Sequence, residues 1–305
     1  MIHLPIQLFF KKVAYVVLCV GLASCTILAA STEKYQKIYK LVAVTSFTCD
    51  LPCNLTIQPT APGEEPSLML EGALEDSTAL AKLKVEEKDG NLSISFIEKG
   101  RSFSCTSNSN TESNSLHIPF FSSKKKSFCF QVTFEDGEEI ILNQKPTLIL
   151  KISAPLQDIV LSRPMDARVK QGIFDLSQAT PQVNIDLCRG STLKIAGGFC
   201  TKDSQIKLRH GSSFTREKLI AEHLTLLARH HSKIDISNLE ASKMDINMLH
   251  SSKLTVKTFH GDHLRGHLLH HAKLSIQGGK VKIKDISARQ QAQLDTNGLE
   301  VEEIT

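Results

Sequence analysis

The C-terminal third of the chain repeats a pattern of apolar and polar residues every ten positions. In the blocks that begin at residues 231, 241, 251 and 271, positions four and six are apolar and position five is polar. Two apolar residues separated by one polar residue lie on the same face of a strand but on different faces of a helix. Each block is therefore predicted to be a short strand followed by a turn. The residues at positions four and six are Ile234, Ile236, Met244, Ile246, Leu254, Val256, Leu274 and Ile276.

A fixed repeat of this kind indicates a solenoid. A strand of three or four residues cannot bury enough area to be stable alone, whereas stacked coils share one continuous core. The sequence predicts an all-β fold, a parallel β-helix or β-roll solenoid with about two decapeptide strands per coil. Position nine is usually apolar too, at Leu239, Leu249 and Phe259. We expect one solenoid domain over residues 37–305, irregular over 37–180 and regular over 181–305.

The first 24 residues have the layout of an export signal. Two lysines precede an apolar run, residues 13–22, that is shorter than the about 20 residues needed to span a bilayer. The run ends in Leu22-Ala23-Ser24-Cys25, which resembles the lipobox of bacterial lipoproteins. An ordinary signal peptide cleaved near Ala30 stays open as an alternative.

The lipobox resemblance implies a specific maturation and location. Residues 1–24 would be removed, Cys25 would carry lipid, and residues 25–36 would form a lipidated cysteine and polar tether. Several acyl chains on one residue anchor a protein stably. Because residue 26 is Thr rather than Asp, the resemblance favours the outer membrane, on its periplasmic or surface face.

Six cysteines remain beyond Cys25. An even number in an exported chain suggests disulfides, although six cysteines allow 15 connectivities. The spacing is neither that of a two-residue redox motif nor that of a zinc site. Structural bridges or inert thiols are both compatible with the sequence. The simplest pairs join neighbours along the chain, which are Cys49 with Cys53, Cys105 with Cys129, and Cys188 with Cys200.

Positive charge is concentrated in the repeats. The whole chain has a net charge of +4, too small to indicate a nucleic-acid-binding protein, but residues 201–290 contain sixteen Lys and Arg against eight Asp and Glu. Three lysines, Lys233, Lys253 and Lys273, are twenty apart, and Lys243 occupies the intervening strand. We expect a basic face that binds an acidic polymer, or one that only keeps the solenoid soluble.

The repeats also contain ten histidines between residues 210 and 271. Four of them, His210, His230, His250 and His270, are twenty apart, so a coil of two decapeptides would stack them about 4.8 Å apart. Their imidazoles could bind Zn²⁺, Cu²⁺ or Ni²⁺. Alternatively, they are polar residues at a solvated corner of the solenoid.

Much of the chain resembles a known family. The segment ALAKLKVEEKDGNLSISFIEKG (Ala79–Gly100) and the later LILKISAP (Leu148–Pro155) are similar to the bacterial head GIN domain family of auto-transporter adhesin candidates. The similarity covers roughly residues 38–300. It implies a β-helical exported domain with an adhesin-like role and no established activity. This chain departs from the family by carrying His or Ser in turns where glycine is common.

Residues 101–127 interrupt that similarity. The stretch contains TSNSNTESNS and Lys124-Lys125-Lys126, and it is polar and low in complexity. We therefore expect an inserted mobile loop, closed at its base if Cys105 pairs with Cys129.

Enzyme signatures are missing from the sequence. Nucleophile-elbow, zinc-protease, phosphate-loop and dinucleotide-binding motifs are not present. Four repeat blocks carry Asp at position five, but these residues alternate between the two strands of a coil. They are Asp235, Asp245, Asp285 and Asp295.

We expect an exported non-enzymatic lipoprotein without a cofactor, in contact with the membrane and with an acidic envelope or host glycan. A periplasmic binder of acidic polymer or transition metal is the alternative, and an enzyme acting on cell-wall glycan is third.

Overall fold

The computed structural model describes residues 34–96, 102–108, 127–134, 137, 139–174, 176–177 and 179–304. The described part of the chain is nearly all β, with 66% strand and 3% helix. The segment Tyr35–Thr305 forms one compact unit. Cys25, the predicted signal peptide and most of the predicted tether lie outside the described residues. No helix within the described ranges is long and apolar enough to cross a bilayer.

The N-terminal half mixes parallel and antiparallel strands. Strands β2 (Ser46–Cys49) and β3 (Asn54–Pro59) begin two parallel ladders that later strands extend. Strands β5 (Leu83–Lys88) and β6 (Asn91–Phe96) form a hairpin. Its turn residues, Asp89 and Gly90, both have positive φ, a conformation for which Asp-Gly is well suited. The remaining elements of this half are β1 (Lys34–Lys40), β4 (Ser67–Ala73), a 3₁₀ turn (Leu74–Asp76), α1 (Ser77–Ala81), β7 (Ser102–Asn108), β8 (Ser127–Thr133), β9 (Glu139–Leu142), β10 (Thr147–Ile152), β11 (Asp158–Leu161), β12 (Asp166–Val169) and β13 (Thr180–Leu187).

Strands β7, β8 and β9 form a separate three-stranded antiparallel sheet. Residues 102–108 therefore belong to a strand and not to the loop predicted for 101–127, of which 109–126 lie outside the described residues. The alternation of Phe103 and Cys105 with serine supports this strand, but the polar composition concealed it. In the register of β7 and β8, Cys105 is opposite Phe130 and Cys129 is opposite Thr106, so these two cysteines are not directly opposed.

The C-terminal half is a parallel solenoid, which confirms the predicted fold class with about six turns of stacked strands. Its register advances twenty residues per coil, so Lys233 pairs with Lys253 and Met244 with Leu264. In most coils the two decapeptides form one continuous strand. The strands are β14 (Thr192–Leu208), β15 (Ser213–Ala228), β16 (Lys233–Met248), β17 (Lys253–Leu268), β18 (Lys273–Ile276), β19 (Gly279–Ala288), β20 (Gln293–Asp295) and β21 (Leu299–Ile304).

Each long strand bends twice and gives the solenoid three faces. Along β16 buried and outward residues alternate, except at Ser237-Asn238 and Ser242-Lys243, where two consecutive residues face outward. Such a pair marks a convex corner because a straight strand alternates strictly. Three segments of β16 and their stacked equivalents define face A (residues 233–236), face B (238–241) and face C (243–248).

The predicted core residues line the interior of these faces. All eight residues at positions four and six are at most 3% exposed. Leu239 and Phe259 are also buried, as expected. Leu249, by contrast, lies in a turn and is partly exposed, and Met248 faces inward instead. The alternate decapeptides therefore differ, because one contains the face A to face B corner and the other ends in a turn.

Candidate functional site

Each coil passes from face C to face A through a four-residue turn whose two central residues have positive φ. In the turn 229–232, φ is 54° at His230 and 62° at His231. Two consecutive left-handed residues are characteristic of type I′ turns, which favour Gly, Asn and Asp. A side chain in this conformation costs on the order of 1 kcal/mol, so these turns carry histidine at the expense of stability. The equivalent central residues are Arg189, Gly190, His210, Gly211, His250, Ser251, His270, His271, Gln290 and Gln291.

Buried serines close some of these turns from the inside. The hydroxyls of Ser212 and Ser232 are at most 1% exposed, and each donates a 2.6 Å hydrogen bond to the carbonyl three residues earlier. Successive turns are also joined by backbone hydrogen bonds, such as His231 N–H to His250 O at 2.9 Å. These bonds hold the turns in register, so the outward side chains keep a constant spacing.

Four outward side chains of these turns form one stack, which we call the histidine file: His210, His230, His250 and His270. Ring centroids are 4.8 Å apart for His210 and His230, 4.8 Å for His230 and His250, and 4.9 Å for His250 and His270. Neighbouring planes deviate from parallel by 2° to 10°. The twenty-residue spacing therefore brings the imidazoles into contact, as the sequence predicts.

The centre of the histidine file disfavours protonation. The pKa of His250 is lowered from its ordinary value, first by partial desolvation against its neighbours and then by the charges of His230 and His270. Arg229 and His231 lower it further. An imidazolium at this position is therefore less stable than one in an unfolded chain.

Permanent cations flank the histidine file on both sides. Lys233, Lys253 and Lys273, the lysine file, stack in register at the start of face A. Only two of the flanking cations form ion pairs within the described residues: Arg209 with Asp186 at 3.0 Å and Lys233 with Asp235 at 2.7 Å. We call the whole group the basic corner. It comprises the histidine file, the lysine file, Arg189, Arg209, Arg229 and Arg289.

Lys243, the fourth lysine predicted for a basic face, lies elsewhere. It begins face C, where it stacks between His223 and His263. The corners at Asn238 and Ser242 separate it from the lysine file. The structure thus brings three of the four predicted lysines together.

The predicted aspartates also divide between two faces. Asp235 and Asp295 lie on face A, whereas Asp245 and Asp285 lie on face C with Arg265 stacked between them. The face C residues line a groove of about 470 Å³. Arg265 lies between Asp245 and Asp285 in the register, so the two aspartates are two rungs apart and not adjacent.

The predicted cysteine pairs differ in how the fold places their two members. Cys49 and Cys53 are fully buried and hydrogen-bonded to each other, and this bond together with burial raises the pKa of Cys53 well above its ordinary value. Cys188 follows Leu187, which pairs with Leu208, whereas Cys200 pairs with Ile220. Stacking therefore does not align Cys188 with Cys200. Five cysteines of the described part of the chain are free thiols: Cys49, Cys53, Cys129, Cys188 and Cys200.

The histidine file has the geometry of stacking and not of chelation. Zn–N bonds of about 2.0–2.1 Å hold two ligand nitrogens at most about 4.2 Å apart. Parallel rings with centroids 4.8 Å apart hold equivalent nitrogens further apart than this. In the part of the chain that the structure describes, no three His, Cys, Asp or Glu side chains are grouped to hold a metal ion.

One charged residue of the interior was missed by the sequence pattern. Arg216 is 2% exposed and stacks between Ile195 and Ile236. Its Nε donates to the Lys218 carbonyl at 2.9 Å and its Nη1 to the Ala196 carbonyl at 3.1 Å, while Nη2 has no hydrogen-bond partner among the residues that the structure describes. Desolvation lowers the pKa of Arg216 to about 10. The sequence did contain one indication that Arg216 faces inward. It occupies position six of the block 211–220, and that position faces inward in later blocks.

Comparison with protein-family models gives no match for this chain. Comparison with curated protein sequences gives no match either. Among solved structures, a candidate adhesin from Bacteroides fragilis is similar with a TM-score of 0.49, 12% identity and coverage of 89% of this chain and 97% of that one. A candidate lipid-binding protein from Parabacteroides distasonis has a TM-score of 0.49, 8% identity and coverage of 90% and 96%. A candidate adhesin from Parabacteroides merdae has a TM-score of 0.43, 8% identity and coverage of 90% and 98%.

Proposed function

We propose that this chain is a non-enzymatic binding module of the bacterial cell envelope that attaches to an acidic polymer through the basic corner. The observation that carries the proposal is a shortage of counter-charge. Five of the seven permanent cations of the corner form no ion pair within the described residues. Like charges one rung apart repel each other, so an acidic ligand gives a physical reason for their arrangement.

The repeat favours a polymer over a small anion. Cations recur at each rung of about 4.8 Å, so a ligand with charges along its length contacts several of them at once. Each exposed contact is weak, but linked contacts combine into a useful affinity. The ligand class is an acidic polysaccharide, such as the phosphorylated part of lipopolysaccharide or an acidic host glycan.

The expected location agrees with this ligand class. The lipobox-like sequence ending in Cys25 supports a lipid anchor in the outer membrane. The resemblance to the head GIN domain family supports an exported, adhesin-like role. A lipid-anchored solenoid would present its basic corner to polymers of the envelope or of a host surface.

Two other functions receive less support. A glycan-active enzyme needs two carboxyl groups on either side of the scissile bond, but in the face C groove Arg265 lies between Asp245 and Asp285. Metal binding would require the histidine rings to leave their parallel stack. Neither function makes use of the lysine file.

The proposal is tested by measuring binding of the mature full-length chain, in nonionic detergent, to dextran sulfate and to uncharged dextran. We expect binding to dextran sulfate alone, weakened by salt because exposed charges are screened. The double variant Lys253→Gln/Lys273→Gln should bind roughly tenfold more weakly, since an exposed charge contact contributes roughly 0.7 kcal/mol.

A matched control removes the same charge elsewhere. The double variant Lys243→Gln/Lys257→Gln changes two exposed lysines that are outside the basic corner and form no ion pair within the described residues. It should bind like the unmodified chain. Equal weakening in both variants would indicate a nonspecific charge effect, and the absence of any dextran sulfate binding would refute the proposal. Lipopolysaccharide tested in the same way identifies a natural source of the charge.

A further inference from the structure

We infer that the histidine file is an acid-operated switch, which makes the basic corner bind an acidic polymer more tightly below about pH 6 than at neutral pH. This inference rests on the proposed function because it concerns the same ligand at the same surface. It adds a regulatory role for the histidine file. Polymer binding by the permanent cations would not by itself require His210, His230, His250 and His270.

The stack couples the four imidazoles. Adjacent rings are 4.8 to 4.9 Å apart and nearly parallel, so a proton on one ring repels a proton on the next. The turns cannot separate to relieve this repulsion, because backbone hydrogen bonds join successive rungs. Gly211 N–H donates to His230 O at 2.8 Å, and Ser251 N–H donates to His270 O at 2.9 Å. Full protonation therefore needs negative charge from another source.

The surrounding residues do not supply that negative charge. Of the aspartates near the basic corner, Asp186 is engaged by Arg209 and Asp235 by Lys233. Asp245 and Asp285 stack on either side of Arg265 on face C, and Asp295 belongs to the coil beyond His270, where it stacks on Ser275. The other charged and titratable side chains near the histidine file are cationic or imidazole groups. Those that face it from the turns and from the adjoining ends of faces C and A are Arg189, Arg209, Arg229, Arg289, His231, His271, Lys207, His267, Lys233, Lys253 and Lys273.

An acidic ligand supplies the missing counter-charge and is therefore coupled to protonation. Bound sulfate, phosphate or carboxylate groups stabilise the imidazolium form of the file histidines. The lowered pKa of His250 in the free chain agrees with this coupling. By linkage, a ligand that favours protonation is bound more tightly when protons are abundant, and its binding takes up protons.

The strained backbone of the turns supports a functional role for the histidine side chains that they carry. Glycine is the residue best suited to positive φ, and Gly211 occupies such a position beside His210. The next coil has His230 and His231 at the same two positions. A turn that only reversed the chain would gain nothing from two imidazoles, whereas a proton-dependent anion site requires them.

The test is isothermal titration calorimetry of the mature full-length chain with dextran sulfate at pH 7.5, 6.0 and 5.5. Sulfate esters remain ionised throughout this range, so only the protein titrates. We expect affinity to rise at least tenfold from pH 7.5 to 5.5. At pH 6.0, titrations in two buffers of different ionisation enthalpy should show uptake of at least one proton per chain.

The variant with all four file histidines changed to Gln isolates their contribution. Gln290 occupies the equivalent position of the last coil with φ 55°, so glutamine fits this backbone. We expect the variant to bind with nearly the same affinity at all three pH values. The control variant His223→Gln/His260→Gln/His263→Gln removes histidines from faces B and C and should keep the acid response. Circular dichroism at pH 5.5 verifies that each protein is folded.

The outcomes separate this inference from the proposed function. Binding of equal affinity at pH 7.5 and 5.5, without proton uptake, would overturn the acid switch and leave the polymer-binding function intact. An unchanged acid response in the four-Gln variant would also overturn it, because other groups would then be responsible. Failure to bind dextran sulfate at every pH would refute both.

Discussion

The guanidinium carbon of Arg216 lies 4.9 Å from the ring centroid of Phe199, inside the solenoid core. The same guanidinium donates to two backbone carbonyls close to the corner between faces A and B. Desolvation by burial lowers its pKa to about 10, which corresponds to roughly 3 kcal/mol against the charged form. The cation–π contact and the two hydrogen bonds offset part of this cost.

Replacing this arginine with an apolar side chain of similar length should stabilise the fold. We expect Arg216→Met to raise the free energy of unfolding by about 1 kcal/mol, because buried charges are often replaced without loss by apolar groups. Arg216→Ala should instead lower it by about 3 kcal/mol, since it adds a cavity to the two carbonyls that both variants leave without a side-chain donor. Urea denaturation measures both, and a loss of stability in the Met variant would show that the charge itself supports the core.

The interior of the coils is tested by placing a charge within it. Leu254 is fully buried and stacks between Ile234 and Leu274. The variant Leu254→Asp should unfold several coils, because an unpaired carboxylate in an apolar core costs several kcal/mol and neighbouring coils share that core. Lys253→Asp adds the same side chain one position away, facing outward, and should melt within a few degrees of the unmodified chain. Hydrogen exchange across coils 233–276 distinguishes local from extended unfolding.

Stability should fall in mild acid because of the histidine file. The pKa of folded His250 is below its ordinary value of 6.5, so the unfolded chain binds that proton more readily. The stabilising contribution is present above about pH 6.5 and is lost as pH falls through that value toward the folded pKa. Between pH 7.5 and 5.0 in dilute salt, the melting temperature should decrease more for the unmodified chain than for the four-Gln variant. The same decrease in both proteins would mean that the file does not contribute.

The thiols of Cys49 and Cys53 should resist alkylation in the folded, reduced chain. Both are fully buried, and the pKa of Cys53 is raised by its hydrogen bond to Cys49 and by burial, so little reactive thiolate forms. Iodoacetamide at pH 8 should label the partly exposed Cys188 and Cys200 first, as measured by peptide mass spectrometry. Equal labelling rates would contradict the buried arrangement.

A nonreducing peptide map of the chain from its native compartment tests the predicted Cys49–Cys53 disulfide.

The mature chain should begin at an acylated Cys25, because Leu22-Ala23-Ser24-Cys25 resembles a lipobox. Mass spectrometry of the N-terminal peptide should show the added lipid. The variant Cys25→Ala should lack the lipid and partition into the aqueous phase of a detergent extraction. A native chain that starts at or after Ala30 would exclude the lipid anchor.

Two features could be predicted from the sequence: whether each side chain of a strand points inward or outward, and the twenty-residue period of the coils. Strict alternation along a strand assigns Ile234, Ile236 and Leu254 inward whatever the neighbouring coil contains. The same period aligns His230 with His250, and the structure shows them stacked. Arg216 could not be assigned in this way, because its inward position contradicts the usual preference of arginine for solvent.

The grouping of outward residues was decided only by the tertiary structure. Lys233 and Lys243 occupy the same position in successive decapeptides, yet two bends put them on faces A and C. At one of these bends Gly261 lies so close to the carbonyl of Ala241 that no Cβ would fit. The sequence determined which side chains point outward, because that depends on the parity of positions along one strand. Which of them share a surface depends on where the strand bends against the coil below it, and those contacts join residues about twenty positions apart.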